Sequence, residues 1–401
     1  MSTNRKLAPG RVPFAWCKLV TAGVIAACAP AVTASPVQPA PAQQAQAISW
    51  SFETNGPGKD GSEVQLTIDS RWGPGNHSTW SNSRRIEELE GLGRAQLMGP
   101  TQRVRFVLTK EAGRLDCSGM AGAGRGSGAC SFTPNVGFAT FLEARGIGRP
   151  SGHQSYSLTM SGVGRDLVDA LEKNGFTRPG IDQLVAMGIH GATASYVQEL
   201  GGLGYRLSAD DLIAFKIHAV KPDYIREMAA IGPALRQIGP SDLIALRIHG
   251  VKPDFVREMA AIGPEFRNVG ADELVSMTIH GVRPDLARAY VQLEGGRLDA
   301  DDVVSMAIHG VTAGFIQQLA QAGYRGLKAD DIVSMAIHGV NGDYVQQLAQ
   351  LGYHLSADQL VNLSIHGVTP AYVRRLQQSG MGHVAADQLV RLRLAGFEPH
   401  R

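Results

Sequence analysis

The stretch Ile248-His249-Gly250-Val251 decides the fold of this chain, because close copies of it recur at intervals of 28 to 31 residues. The seven copies are marked by His190, His218, His249, His280, His309, His338 and His366. Self-similarity at this period is typical of a helical solenoid, in which each unit buries its apolar face against a neighbour. The repeats therefore predict a function carried by an extended surface rather than by a catalytic cleft.

Each repeat predicts a hairpin of two short helices. Ser208 is a good capping residue for the first helix, and Leu212, Ile213 and Ile217 recur at helical spacing. This spacing predicts a single apolar stripe facing the core. The glycine that follows most of the histidines predicts a left-handed helix end, and Pro253 fits the first turn of a second helix.

The repeat pattern weakens at both ends of the array. Residues 161–163 and 394–397 occupy the phase of the motif but lack its histidine. Atypical end units are typical of solenoids, which need caps with a polar outer face. We therefore expect an α-helical repeat array over residues 161–401, with about eight units.

The first residues have the pattern of an export signal. Basic residues precede an apolar run at 19–27, and small residues at 32–34 offer a cleavage site. We predict a signal peptide at 1–34 and a Pro/Ala/Gln-rich linker at 35–47. Residues 25–28 also resemble a bacterial lipobox, so lipidation of Cys28 is the alternative to simple secretion. Both alternatives predict an extracytoplasmic, periplasmic or secreted protein, with membrane contact only through the signal or a lipid anchor.

Between residues 48 and 160 the hydrophobic pattern changes to a period of two. Four segments alternate in this way, and they contain Trp50 and Phe52, Val64 to Ile68, Val104 to Leu108, and Cys130 and Phe132. This pattern predicts half-buried strands. We expect a small antiparallel β domain with a helix near residues 138–145. The complete chain is then an α+β multidomain protein, with this β domain followed by the α-solenoid.

Two cysteines lie in the predicted β domain, and in an oxidising compartment Cys117 and Cys130 are expected to pair. The glycine-rich stretch between them, residues 119–128, does not open a helix after a buried strand. It therefore lacks the context of a phosphate-binding loop. We interpret it as a hairpin tip or loop held by the disulfide, and no cofactor is predicted.

The seven histidines raise the question of a metal site, since imidazole is a common ligand of zinc and copper. Equivalent residues on stacked helices are about 9 Å apart, whereas zinc ligands lie about 2 Å from the ion. No metal site is predicted. We assign the histidines a structural role, in which each closes the first helix of its unit and its imidazole can bond the last carbonyls. Sensitivity of the array to mild acid is the alternative hypothesis.

The middle repeats carry a local basic bias. The residues concerned are Lys216, Lys221, Arg226, Arg247, Lys252, Arg257, Arg283 and Arg288. They are candidates for docking an acidic partner segment. Acidic residues are interleaved with them, however, which favours a solvated, salt-bridged face. A net charge of +2 on 401 residues argues against general binding of nucleic acid.

Common catalytic motifs are absent from the sequence, including His-Glu-x-x-His, Gly-x-Ser-x-Gly and the Walker loop. We expect no catalytic residues and a non-catalytic protein or peptide partner in the cell envelope. The alternatives are a ligand-sensing module, a spacer, and an enzyme with a site in the β domain near Asp69, His77 or His153.

The motif, as written at residues 248–256 and again at 365–373, resembles the helical repeat of bacterial envelope proteins. These include the extracytoplasmic tails of some BlaR1/MecR1-type sensor antirepressors. The resemblance covers about Ser161 to Arg401. The sensors also carry a membrane metallopeptidase domain with a His-Glu-x-x-His motif that this chain lacks, so no catalytic residue is implied. The resemblance implies a sensing or interaction module, in an envelope or antibiotic response, without the protease.

Overall fold

The computed structural model describes residues 47–54, 62–73, 76–293 and 297–398. The predicted signal peptide, Cys28 and the linker up to residue 46 lie outside the described residues. Six antiparallel strands come first: β1 Ala47–Glu53, β2 Glu63–Arg71, β3 His77–Arg85, β4 Gln102–Lys110, β5 Gly113–Gly122 and β6 Arg125–Pro134. They form one sheet in the order β3-β2-β1-β6-β5-β4. The α+β fold expected from the sequence is confirmed.

One face of the sheet is covered and the other is open. Alternate residues of β1, β2 and β4 are buried, as the period-two pattern predicts. At the centre of the covered face, the Trp50 ring meets the Phe106 ring edge-on at 5.0 Å. The Trp50 Nε1 donates a hydrogen bond to the Ser118 carbonyl at 3.2 Å. The predicted disulfide is present, and Cys117 and Cys130 face each other in the register of β5 and β6.

Residues 119–128 form the tip of the β5–β6 hairpin, which was one of the two interpretations, but all of the stretch except its turn is strand and not loop. The glycines are there because Trp50 lies directly over them. A Cβ on Gly119 would meet the Ser127 carbonyl oxygen at 2.1 Å and the Trp50 ring at 2.7 Å. Only a residue without a side chain lets β5, β6 and the indole approach this closely.

The short helix α1 Arg94–Met98 lies in the connection from β3 to β4. Three further helices connect the sheet to the repeats or begin the stack: α2 Val136–Ala144, α3 Gly152–Ser161 and α4 Arg165–Lys173. α2 confirms the helix expected near residues 138–145. α3 has a double role, because its Tyr156 and Met160 side chains complete the core of the sheet while the helix also packs on the first helix of the array. A further link is the backbone N–H of Arg165, which donates to the Glu111 carboxylate at 3.1 Å.

The array consists of alternating helices in two layers. The first helices of the hairpins, here called the A helices, are α5 Ile181–Ile189, α7 Ala209–Ile217, α9 Pro240–Ile248, α11 Ala271–Ile279, α13 Ala300–Ile308, α15 Ala329–Ile337, α17 Ala357–Ile365 and α19 Ala386–Leu394. The second, the B helices, are α6 Ala194–Gly202, α8 Pro222–Ala229, α10 Pro253–Ala260, α12 Pro284–Gln292, α14 Ala313–Gln321, α16 Gly342–Gln350 and α18 Pro370–Leu376. Each A helix packs on the next A helix and each B helix on the next B helix. Their facing sides form one continuous core.

Tyrosines bond neighbouring repeats to each other. The Tyr196 hydroxyl donates to the Val220 carbonyl at 2.6 Å, and the Tyr224 hydroxyl donates to the Val251 carbonyl at 3.1 Å. Equivalent bonds join Tyr344 to Val368 and Tyr372 to Phe397. Each bond satisfies a carbonyl in the turn after the A helix of the next repeat, so the tyrosines fix the stacking of adjacent hairpins.

Within the described ranges, no single helix is both long and apolar enough to cross a membrane. In the same part of the chain, one helix pair, Ala300–Ile308 and Ala313–Gln321, meets the criteria of length and composition when its two helices are taken together, and it is bent by 95°.

Candidate binding surface

The most regular exposed feature of the array is a row of isoleucines, one at the end of each of the first seven A helices. We call it the isoleucine row: Ile189, Ile217, Ile248, Ile279, Ile308, Ile337 and Ile365. Their exposed fractions lie between 53% and 56%. A lone exposed isoleucine is ordinary. Seven at the same position of successively stacked helices, about 8 to 10 Å apart at the usual packing distance, form a continuous apolar strip.

The row corrects the predicted apolar stripe. Leu212 is buried as expected, but Ile217 is 53% exposed. The reason is angular: at 3.6 residues per turn, five residues turn the helix through about 500°, so Ile217 lies about 140° around from Leu212. The same offset separates the buried leucine of α9, Leu243, from the exposed Ile248. The conspicuous isoleucine of the motif therefore faces solvent, and the core of each A helix is made by other residues.

Buried and half-buried apolar residues lie one turn before the isoleucine row. One turn before each isoleucine stands a valine or isoleucine, for example Ile213 before Ile217 and Val275 before Ile279. Residues four apart lie on the same side of a helix. In α13 and α15 these residues are Val304 and Val333, which are only 9% and 8% exposed. The residues next to the isoleucine row thus belong to the core or pack against it.

The histidines lie beside this row, at the residue that follows each A helix. Their backbone N–H groups close the helices, for instance from His249 to the Ala245 carbonyl at 3.0 Å. Five of the seven side chains are exposed, and those of His218 and His366 are half-buried. Among the side-chain hydrogen bonds found in the described residues, none involves these seven imidazoles. Each histidine therefore ends its helix through the backbone, and its ring stays at the surface next to an isoleucine.

In the described part of the chain, no three His, Cys, Asp or Glu side chains are close enough together to hold a metal ion. The arrangement of the histidines agrees with this, because each stands alone at the end of a separate helix.

The eight basic residues do not form one stripe. Arg226, Arg257 and Arg288 lie on the outer side of the B helices, where each pairs with a glutamate of the preceding repeat. The distances are 2.8 Å from Arg226 to Glu199, 2.7 Å from Arg257 to Glu227 and 3.2 Å from Arg288 to Glu258. These exposed pairs form a ladder along the B helices, and each contributes little to stability by itself.

The other five basic residues have different surroundings. Lys216 Nζ lies 4.6 Å from the centre of the Tyr196 ring, and the Arg247 guanidinium lies 5.0 Å from that of Tyr224. Burial, with a smaller effect of nearby Lys221, lowers the pKa of Lys216. The remaining three, Lys221, Lys252 and Arg283, are exposed residues that precede the B helices, and Arg283 pairs with Asp285 at 2.8 Å. As a docking site for an acidic segment, the eight residues remain a prediction.

The residues considered for an enzyme in the β domain are spread over both faces of the sheet. Asp69 and His77 occupy positions on the open face, and the Asp69 carboxylate accepts a hydrogen bond from the Thr79 hydroxyl at 2.5 Å. His153, on α3, packs its ring 5.5 Å from that of buried Trp72 at the covered face. Asp69 and His153 therefore belong to opposite faces of the sheet.

A groove of about 660 Å³ links the β domain to the first member of the isoleucine row. It is lined by the edge strand β3, by the end of α3 and by Gly188 and Ile189. Trp80 of β3 lines it as well, and its buried Nε1 has no hydrogen-bond partner among the described residues. The strip of isoleucines thus continues at one end into a recess bordered by a sheet edge.

No protein-family model matches this chain, and no curated protein matches it.

Proposed function

We propose that this chain is a non-catalytic binding protein of the bacterial cell envelope, and that its repeat array takes a protein or peptide partner along the isoleucine row. The observation that carries this proposal is the equal exposure of seven isoleucines at one helical position. Folding does not require isoleucine at this position, because a polar residue would serve equally well at the exposed end of a helix. Isoleucine is β-branched and has a lower helix propensity than most alternatives. A contiguous exposed apolar strip is typical of a surface that another molecule covers.

The compartment is part of the proposal. The disulfide between Cys117 and Cys130 is compatible with an extracytoplasmic location. The signal-like pattern of residues 1–34 supports the same location. Whether the mature protein is free or lipid-anchored at Cys28 changes the distance from the membrane but not the binding surface.

The test is capture of partners by crosslinking on intact envelopes, with two matched variants of the full chain. In the first, Ile279, Ile308, Ile337 and Ile365 are changed together to serine. In the control, four exposed glutamines of the B helices are changed to serine: Gln317, Gln321, Gln347 and Gln350. We expect the isoleucine variant to lose at least tenfold in captured partner while the control keeps it. Equal capture by both, with unchanged melting temperatures, would contradict the proposal.

A further inference from the structure

The later A helices carry a strong negative charge beside the isoleucine row. From α11 to α17 the four A helices contain seven Asp or Glu residues and no Lys or Arg: Asp272, Glu273, Asp301, Asp302, Asp330, Asp331 and Asp358. All seven belong to the first turns of their helices, where carboxylates favour the positive end of the helix dipole. This explains an acidic residue at each start, but it leaves the summed charge uncompensated.

We call four of these residues the acidic row: Asp272, Asp301, Asp330 and Asp358, the second residue of each helix. All four are exposed, and among the described residues they form neither an ion pair nor a side-chain hydrogen bond. This differs from the B layer, where Arg226, Arg257 and Arg288 each meet a glutamate. The acidic row is therefore a regular line of exposed negative charge without an ion pair among the described residues.

The local electrostatics agree with this description. Burial raises the pKa of Asp302, and the negative charges of Asp299 and Asp330 raise it further. Asp330 belongs to the next repeat, so neighbouring A helices repel each other electrostatically at their starts. A cation placed along this edge would relieve that repulsion.

The geometry joins the two rows into one surface. The acidic and apolar residues of a helix, such as Asp301 and Ile308, are seven residues apart, which places them on the same side at about 10 Å along the axis. Successive repeats are displaced by about 8 to 10 Å. A partner helix lying along the array would present every seventh residue at a spacing of about 10.5 Å, which matches the displacement of the repeats.

We infer that the A-helix surface from α11 to α17 binds a cationic amphipathic helix, whose apolar residues cover Ile279, Ile308, Ile337 and Ile365 and whose Lys or Arg residues reach the acidic row. This inference rests on the proposed function and adds the chemistry of the partner. Contact with four isoleucines requires a helix of about 20 residues, from three steps of about 10 Å at 1.5 Å per residue. Complementary charge along one flank sets the direction and the register of such a helix.

The test uses three synthetic 21-residue helical peptides with identical apolar positions and flanks of Lys, Gln or Glu. Binding to the full chain is measured by fluorescence anisotropy at 50 and 300 mM salt. We expect the Lys peptide to bind at least tenfold more tightly than the Glu peptide at low salt, and the difference to shrink at high salt because exposed charges are screened. Equal affinities for the three peptides would overturn the inference.

Two variants locate the effect. Changing the acidic row to asparagine should remove the preference for Lys over Gln, whereas changing it to glutamate, which keeps the charge, should retain it. Changing the four isoleucines to serine should lower the affinity for all three peptides at least tenfold. If the asparagine variant keeps the full preference for Lys, the charge inference fails.

A membrane is the competing occupant. Vesicles of zwitterionic lipid, with and without anionic lipid, serve as the probe in a sedimentation assay. The inference would be overturned in favour of a lipid surface by two results together. The unchanged chain would bind the vesicles while the isoleucine-to-serine variant would not, and none of the three peptides would bind. Crosslinking capture on envelopes separates this inference from the proposed function. If the serine variant loses the captured partner and the asparagine variant keeps it, the proposed function stands without the charge inference. If both variants keep the partner, both proposals are contradicted.

Discussion

At the scale of single residues, the turn after each A helix depends on one left-handed position. Seven of the eight A helices are followed by glycine there, and Gly250 has φ 71°. After the second A helix, α7, the same position is Ala219 with φ 53°. A side chain in this conformation costs about 1 kcal/mol. No atom lies within 4 Å of a Cβ added to Gly250, so the cost is conformational and not steric.

We therefore predict opposite effects for two substitutions at equivalent positions. Ala219→Gly should increase the free energy of unfolding by about 1 kcal/mol, and Gly250→Ala should decrease it by about the same amount. Urea unfolding at pH 7.5 measures both. The account of the turn is wrong if the two changes shift stability in the same direction.

The tyrosines between repeats give the array a dependence on alkaline pH. Burial, opposed in part by the charge of Arg247, raises the pKa of Tyr224 to about 12. The ordinary value is about 10. Since the folded state holds the proton more tightly, the stability that this group contributes is complete below pH 10 and is lost as the pH rises through 12.

Tyr224→Phe should therefore lower stability at pH 8 by about 1 kcal/mol, because it leaves the Val251 carbonyl without its hydrogen bond. It should also make the loss of stability between pH 8 and pH 11 smaller than in the unchanged chain. Urea titrations at both pH values measure the two effects. If the stability of the variant falls between pH 8 and pH 11 as steeply as that of the unchanged chain, Tyr224 does not titrate as described.

At the scale of elements, the sequence predicted the strands in which buried and exposed side chains alternate, and it did not predict the strands that lack this alternation. β1, β2 and β4 have buried residues at every second position, so their period of two is visible. β3 was missed because it is an edge strand of mostly polar residues, and β5 because its glycines resemble a loop. The helix starts at the capping residue Ser208 and at the first-turn residue Pro253 were predictable, since they depend on local chemistry alone.

The close approach of β5 and β6 under Trp50 gives a test at this scale. Gly119→Ala should destabilise the protein by about 3 kcal/mol, because the added methyl group overlaps the Ser127 carbonyl and the indole. The exposed neighbour serves as control, and Ser118→Ala should change stability by less than about 0.5 kcal/mol. Thermal unfolding of both variants measures the two changes in stability. A Gly119 variant as stable as the control would refute the packing argument.

At the scale of the whole molecule, the candidate surface was only half predictable. The repeat period identified the array and the position of its histidines, but it could not tell which side of each A helix faces solvent. The 140° offset between Leu212 and Ile217 is small enough to be read as one stripe when a helix has only nine residues. The ladder from Arg257 to Glu227 likewise depends on stacking between repeats, which no local pattern contains.

Site-specific photo-crosslinking shows whether a partner covers the isoleucine row. A photoreactive residue is placed at Ile337 on the A layer or, as control, at Gln347 on the B layer, and intact envelopes are irradiated. Both positions are exposed. We expect a discrete crosslinked partner from position 337 and none from position 347. The same partner from both positions, or from position 347 alone, would contradict this expectation.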